Sequence, residues 1–92
     1  MAVQLISYDL LKPGQEYTDL FDAIKSVGTK WWHCLESVWL VETALASSQL
    51  RDTLRSYVDS NDKILVVALE GNWATLGLTP KCNKWLQENL AS

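Results

Sequence analysis

The sequence predicts one α+β domain in which helices pack on a sheet. Two apolar runs of strand length, Val3–Leu10 and Ile64–Leu69, stand near the two ends of the core region. Two amphipathic helical segments lie between them. A Trp-rich segment, Thr29–Thr43, separates the helices, and its aromatic and β-branched residues suit a half-buried sheet surface. At 92 residues the chain is the size of a single domain, 1–92.

The first third of the chain predicts a strand followed by a helix. Val3–Leu10 is mostly apolar, which is typical of a central strand, and Pro13-Gly14 is a turn signal that ends it. The segment 17–27 has apolar residues at helical spacing on one face: Tyr17, Leu20, Phe21, Ile24 and Val27. Gly28 follows at the C′ position, where we expect a left-handed conformation.

The Trp-rich segment predicts two strands with a tight reversal near Leu35-Glu36-Ser37. On the first strand, Trp32 and Cys34 point to one face and Trp31 and His33 to the other. The second strand sets Val38, Leu40 and Glu42 against Trp39, Val41 and Thr43. Both faces carry large apolar side chains. We therefore expect one face to cover the core and the other to be covered by a helix or a second subunit.

The second half predicts a helix, a strand and a terminal helix. Ser47 or Ser48 is the expected N-cap of the first helix, and Ser60-Asn61-Asp62 ends that element. The strand Ile64–Leu69 follows, and 73–76 is either a short extra strand or an irregular loop. Thr79 and Pro80 predict the start of a final helix that runs to about Leu90. Its inward residues are Cys82, Trp85 and Leu86.

This order of elements predicts a ferredoxin-like βαββαβ sandwich with an antiparallel sheet and a C-terminal helix. The core spans 3–69, and 70–92 forms a tail. Both main helices lie on one face of the sheet, so the other face needs a cover. The tail, a partner or a second copy of the chain can supply it, and a symmetric homodimer is the simplest solution.

Composition restricts the partners and the compartment. The net charge of −3 argues against broad nonspecific nucleic-acid binding, which depends on Lys and Arg. Cys34 and Cys82 have no metal-ligand spacing, so we expect free buried thiols in a reducing cytoplasm. The N-terminus lacks the basic region of a signal peptide, and the sequence has no apolar run of membrane-helix length. We therefore expect a cytoplasmic protein with no membrane association.

Three short motifs carry a resemblance to known families. They are Ser7-Tyr8-Asp9-Leu10 at the end of the first strand, Glu36–Val41 in the hairpin, and Asn61-Asp62-Lys63 before the last core strand. The chain resembles the CRISPR-associated protein two and virulence-associated protein D superfamily. Within it, the hairpin and Lys12-Pro13-Gly14 are most similar to the SinR-like group of small phage and bacterial proteins. The resemblance covers roughly residues 3–69.

The resemblance implies a dimer in which two Asp9 carboxylates, one per subunit, hold a divalent metal for phosphodiester cleavage. Asp9 is the residue that matches the strand-end position of the family. Mg²⁺ suits such a site because it prefers oxygen ligands and often takes one or two carboxylates with water and phosphate. Asp9 is thus the candidate catalytic and metal-binding residue, and Mg²⁺ the candidate cofactor. As a plain structural residue, Asp9 would cap the following turn.

The other candidate residues each have a structural alternative. Five basic residues are candidate phosphate contacts: Lys12, Lys30, Arg51, Arg55 and Lys63. Arg51 and Arg55 lie close to Asp52 and Asp59, so helical charge pairs on a solvated face are the favoured alternative for these two. Four tryptophans are candidates for an interface or for base stacking, with core packing as the alternative: Trp31, Trp32, Trp39 and Trp73. The single histidine, His33, is expected to be a packed, hydrogen-bonded ring.

Two functions follow. The first is a dimeric nucleic-acid-associated protein resembling the CRISPR-associated small subunit, with metal-dependent endonuclease activity through Asp9 as one form of it. The second is a non-enzymatic interaction module that binds a protein or a nucleotide through its aromatic sheet face. A regulator, an antitoxin or a phage counter-defence factor would fit the second function.

Overall fold

The computed structural model describes residues 2–11 and 17–90. Its elements in chain order are β1 (Ala2–Asp9), α1 (Thr18–Ser26), β2 (Lys30–Leu35), β3 (Val38–Thr43), α2 (Ser47–Arg55), β4 (Lys63–Ala68) and α3 (Pro80–Asn89). The predicted strands and helices are confirmed, and the segment 73–76 is an irregular loop. None of the helices within the described ranges combines the length and apolar character that crossing a membrane requires.

The four strands form one antiparallel sheet in the order β2-β3-β1-β4. The structure is therefore a small α+β domain with a four-stranded antiparallel sheet. β1 is central, with Leu5 opposite Leu40 on one side and Val67 on the other. The reversal between β2 and β3 occurs at Glu36-Ser37, as predicted. The register shifts between Trp32 and Leu35, so β2 contains a bulge.

Helices α1 and α2 cover one face of the sheet, which we call the inner face. The side chains with almost no exposure there come from the strands and from both helices: Ile6, Val41, Leu20, Ile24, Leu50 and Leu54. Burying a side chain of this size contributes about 1.5–3 kcal/mol to folding. The two α1 residues in this set, Leu20 and Ile24, are among those that the predicted helical periodicity places on one face. The inner core thus fixes which faces of α1 and α2 point to the sheet.

The opposite face, the outer face, is covered by the tail. Leu86 of α3 packs with Val3, Trp32 and Leu40 in a second apolar cluster. The Trp32 Nε1–H donates to the backbone oxygen of Cys82 over 3.1 Å. Of the three covers that the sequence left open, the tail thus provides one within the monomer.

The cover is incomplete, and it leaves part of the outer face open beside β4. Leu65 and Val67 point outward there and are 58% and 41% exposed. Their register partners on β1 are Ser7 and Leu5, which are half-buried. We call Leu65, Val67 and Leu5 the outer strip.

The expectation of free thiols is wrong, because Cys34 and Cys82 form a disulfide. Cys34 points to the outer face of β2, and the tail folds back so that Cys82 of α3 meets it. The two residues are 48 positions apart in sequence. Metal-ligand spacing gave no information about this pair, because the pairing depends on the path of the tail.

Two local predictions are also wrong. Gly28 does not have a positive φ. Its small size is required instead by the backbone of β3, because a Cβ at Gly28 would overlap the carbonyl oxygen of Glu42. The N-cap of α2 is Ala46 rather than Ser47 or Ser48. The Ser47 hydroxyl donates instead to Oε1 of Gln4 over 2.7 Å, which satisfies a side chain that is only 3% exposed.

Candidate functional site

Asp9 lies at the end of β1 with its side chain exposed. Its position in the strand alternation places it on the outer face, and Lys63 is opposite it in the register with β4. Two grooves meet at this residue. One, of about 420 Å³, lies between Asp9, Phe21 and the hairpin turn at Glu36-Ser37. The other, of about 220 Å³, runs from Ser7 and Asp9 to Lys63 and Leu65.

Tyr8 ties the end of β1 to the hairpin turn. Its N–H donates to the Ser37 carbonyl over 3.3 Å, and its hydroxyl donates to the Glu36 carbonyl over 3.2 Å. The same hydroxyl accepts the Nε1–H of Trp39 over 3.1 Å. These contacts hold the carboxylates of Asp9 and Glu36 along one groove.

The environment of Tyr8 raises the pKa of its phenol above 10.0. Burial is the largest cause, because it disfavours the phenolate. The hydrogen bond from Trp39 acts in the opposite direction, and the Glu36 carboxylate adds to the increase. Tyr8 is therefore a neutral structural hydroxyl at physiological pH.

Asp62 organises the loops near Asp9, and the sequence reasoning missed this role. Its Oδ1 accepts the Leu11 N–H over 2.9 Å, and its Oδ2 accepts the Asp59 N–H over 2.9 Å. The Tyr17 hydroxyl lies 3.2 Å from both oxygens. One carboxylate thus joins the exit of β1, the start of α1 and the entry to β4. The turn signal Ser60-Asn61-Asp62 predicts a loop, but not these long-range partners.

A single copy of the chain provides few metal ligands at this site. Over residues 2–11 and 17–90, no group of three or more His, Cys, Asp or Glu side chains is placed to hold a metal ion. Asp9 and Glu36 are two carboxylates lining one groove. This oxygen donor set is compatible with Mg²⁺ in type but insufficient in number, so a complete site would require ligands from a second chain, water or substrate.

The predicted basic residues do not converge. Lys12 lies outside the described residues. Lys30 begins edge strand β2, and its Nζ donates to Oδ1 of Asn89 over 3.1 Å. Lys63 begins the other edge strand, β4, which runs in the opposite direction to β2. The two lysines therefore occupy diagonally opposite corners of the sheet.

Most of the tryptophan candidates pack within the monomer. Trp32 and Trp39 are 6% and 2% exposed, and Trp73 is half-buried. Trp31 is 44% exposed, and Lys25 Nζ lies 5.1 Å from the centre of its ring. Core packing is thus the role of Trp32 and Trp39, while Trp31 is available at the surface.

His33 is a packed ring, as predicted. It stacks on Trp39 with 3.7 Å between ring centres and 6° between ring planes. Its Nδ1 lies 3.0 Å from the carbonyl oxygen of Val38. Because a carbonyl can only accept a hydrogen bond, Nδ1 carries the proton in this contact.

Neither a protein-family model nor a solved structure matches the chain.

Proposed function

We propose that this protein is a dimeric, nucleic-acid-associated domain in which two Asp9 carboxylates form a divalent metal site. One observation carries the proposal: Asp9 and the outer strip lie on the same face of the sheet. The groove from Ser7 and Asp9 to Leu65 connects them directly. A symmetric contact that buries Leu65, with its twofold axis beside this groove, would bring the Asp9 side chains of two copies toward a common seam.

We assign the domain to the ferredoxin-like fold as part of this proposal. In its support, the strand order β2-β3-β1-β4 is antiparallel throughout, and α1 and α2 pack on one face. The third helix then acts as an addition that covers the β2–β3 half of the other face. The half beside β4 is left for a second copy of the chain.

The exposed outer strip supports a homodimer. Leu65 and Val67 are two positions apart on edge strand β4, so their large apolar side chains are neighbours on the same face. Leu76, in the tail loop, is 97% exposed. An apolar surface of this kind loses contact with water when it pairs with a copy of itself.

The metal chemistry follows from the ligand type. Mg²⁺ held by Asp9 of both copies would neutralise phosphate charge and polarise a phosphoryl oxygen. Lys63, opposite Asp9, places a cation near the same seam. The matching substrate class is a phosphodiester of RNA or DNA. Glu36 lines the groove beside Asp9 and is a further oxygen ligand.

The test combines oligomeric state with activity. Light scattering after size exclusion should give a dimer for the wild type and for Asp9→Asn, and a monomer for Leu65→Glu. Labelled RNA and DNA with Mg²⁺ should be cleaved by the wild type and by Asp19→Asn, whose exposed carboxylate lies on α1. Asp9→Asn and chelator should both abolish cleavage. A wild-type dimer that neither binds nor cleaves nucleic acid contradicts the proposal.

A non-enzymatic interaction module is the second candidate. It is favoured by the net charge of −3 and by the separation of Lys30 from Lys63, because these two lysines do not form one basic surface. With Trp32 and Trp39 buried and Trp73 half-buried, Trp31 is the most exposed of the four candidate tryptophans and is the aromatic contact that we assign to a ligand. For such a module, Trp31→Ala should weaken partner binding, while chelator and salt should have little effect.

The cytoplasmic location stays a prediction, and the disulfide weighs against it. Disulfides persist mainly in oxidising compartments, and those in the cytosol are usually catalytic or redox-sensing. Alkylation of Cys34 and Cys82 in protein quenched directly from cells would report the state of the pair. Unmodified cysteines under denaturing, non-reducing conditions would place the protein in an oxidising environment.

A further inference from the structure

The two edges of the sheet differ in how they are protected against pairing with another chain. Edge strand β2 contains a bulge between Trp32 and Leu35, and α3 contacts it and is bonded to it through Cys34. Edge strand β4 keeps a continuous register with β1 from Lys63 to Ala68. It has no proline, and its single charge, Lys63, is at its start. Over residues 2–11 and 17–90, β4 is thus the edge strand that lacks these protections.

The alternation of the ladder shows which backbone groups of β4 face outward. The Leu69 N–H donates to the Val3 carbonyl over 2.9 Å, so the odd-numbered residues of this ladder bond to β1. The N–H and C=O groups of Ile64, Val66 and Ala68 therefore point to the free edge. An extended chain could pair with three successive outward-facing residues.

A groove of about 450 Å³ lies beside this edge, between α2 and β4. Arg51 and Arg55 line it from one face of α2, where their i, i+4 spacing places them together. Val58 and Ile64 supply apolar walls. A chain paired with β4 would direct alternate side chains toward this groove.

Two of the charged residues that line the groove, Arg51 and Arg55, would attract an acidic ligand. The Arg51 guanidinium has an exposed ion pair with Asp52 over 2.9 Å, and such pairs exchange partners at little cost. Two acidic residues, Asp59 and Asp62, line the loop end of the groove. The Asp62 oxygens accept hydrogen bonds from Leu11, Tyr17 and Asp59. The arginine charges therefore lie along α2, and the acidic charges lie at the loop end of the groove.

We propose that the free edge of β4, with the groove lined by Arg51, Arg55 and Ile64, binds an extended acidic peptide segment as a fifth strand. Backbone hydrogen bonds to Ile64, Val66 and Ala68 supply affinity, and carboxylates against the two guanidinium groups supply specificity. The partner lies in the plane of the sheet and on the α2 side. Its other side chains lie on the outer face beside the outer strip, and its binding requires neither Asp9 nor the dimer proposed above.

The test uses a fluorescein-labelled peptide of about eight residues, a typical strand length, that alternates Glu with Val. Fluorescence anisotropy should show saturable binding to the wild-type protein. A peptide with Gln in place of Glu should bind at least about tenfold more weakly, because a charge-assisted hydrogen bond is worth roughly twice a neutral one.

Two sets of variants separate the charge from the edge. Arg51→Gln with Arg55→Gln should weaken binding at least about tenfold. Lys81→Gln with Lys84→Gln makes the same change in net charge on exposed positions of α3 and should have no effect. Val66→Pro removes one outward N–H, which an edge strand tolerates, and should abolish binding. If this variant does not fold, the arginine pair still decides.

Four results would overturn the proposal. The first is the absence of saturable binding by the wild type, and the second is equal binding by the arginine double variant. The third is displacement of the peptide by inorganic phosphate or a nucleoside monophosphate with no effect of Val66→Pro, which would make the groove an anion site. The fourth is self-association through the edge, detected as a loss of dimer in Val66→Pro without peptide.

Discussion

At the scale of single residues, the Tyr8 hydroxyl is the group whose protonation should affect stability. It accepts the Trp39 N–H and donates to the Glu36 carbonyl. Its pKa is raised in the folded protein, chiefly by burial. Below pH about 10 the phenol is neutral in both the folded and unfolded states, so its contribution is intact. As the pH rises from there through the folded pKa, the unfolded chain ionises first and stability falls.

We expect Tyr8→Phe to lower the free energy of unfolding by about 1–2 kcal/mol at neutral pH, because the Trp39 N–H loses its acceptor. The same variant should lose less stability than the wild type between about pH 9 and pH 11. Urea unfolding across this range measures both effects. Tyr57→Phe is the matched control, since Tyr57 is 42% exposed and the same substitution there should cost less stability at neutral pH.

The sequence indicated which face each hairpin residue occupies, but not which distant residues Asp62 contacts. The alternation of the hairpin correctly separated Trp32 and Cys34 from Trp31 and His33, because strand alternation is a local property. The bonds of Asp62 to Leu11 and Tyr17 span 51 and 45 positions. No local sequence pattern contains pairs so far apart. The sequence therefore indicated Asp62 only as a turn residue and did not indicate its role in joining the loops near Asp9.

At the scale of elements, Gly28 determines how closely the end of α1 approaches β3. A side chain there would overlap the Glu42 carbonyl, which accepts the Thr29 N–H over 2.9 Å. We expect Gly28→Ala to destabilise the protein by about 1–3 kcal/mol through overpacking. Gly71→Ala is the comparison, because a Cβ there meets no atom within 4 Å and strain from its φ of 88° is the main cost. Thermal unfolding of both variants should show the larger loss at Gly28.

The disulfide determines how firmly α3 is attached to the sheet. Cys34→Ser with Cys82→Ser removes a cross-link that closes a loop of 48 positions. We expect a loss of about 3–4 kcal/mol, mainly through the entropy of the unfolded chain. The Tm of the wild type should fall on addition of dithiothreitol, whereas the Tm of the double variant should not respond. A wild-type Tm that is insensitive to reductant would contradict the cross-link.

At the scale of the whole molecule, the proposed dimer would link stability to protein concentration. If the outer strip pairs two copies, the wild-type Tm should rise with concentration, because association stabilises the folded state by mass action. Leu65→Glu introduces a charge at the seam and should make the Tm independent of concentration. Scanning calorimetry over a hundredfold range of concentration measures this. A concentration-independent wild-type Tm would indicate a monomer.

The order of the strands and helices, and the faces of several of them, follow from sequence alone. Helical and strand periodicities are local, so the apolar stripe of α1 and the alternation of β2 and β3 could be read directly. The sequence also identified Asp9 as a strand-end carboxylate and Thr79 as the N-cap of α3, whose Oγ1 accepts the Cys82 N–H.

The tertiary structure decided which distant residues meet. It placed Lys30 and Lys63 at opposite corners, brought Cys34 to Cys82, and set Asp9 beside Glu36 and on the face of the outer strip. It also left β4 as an edge beside Arg51 and Arg55. These outcomes depend on the strand order and on the path of the tail, and both result from the burial of apolar surface over the whole chain rather than from any local window.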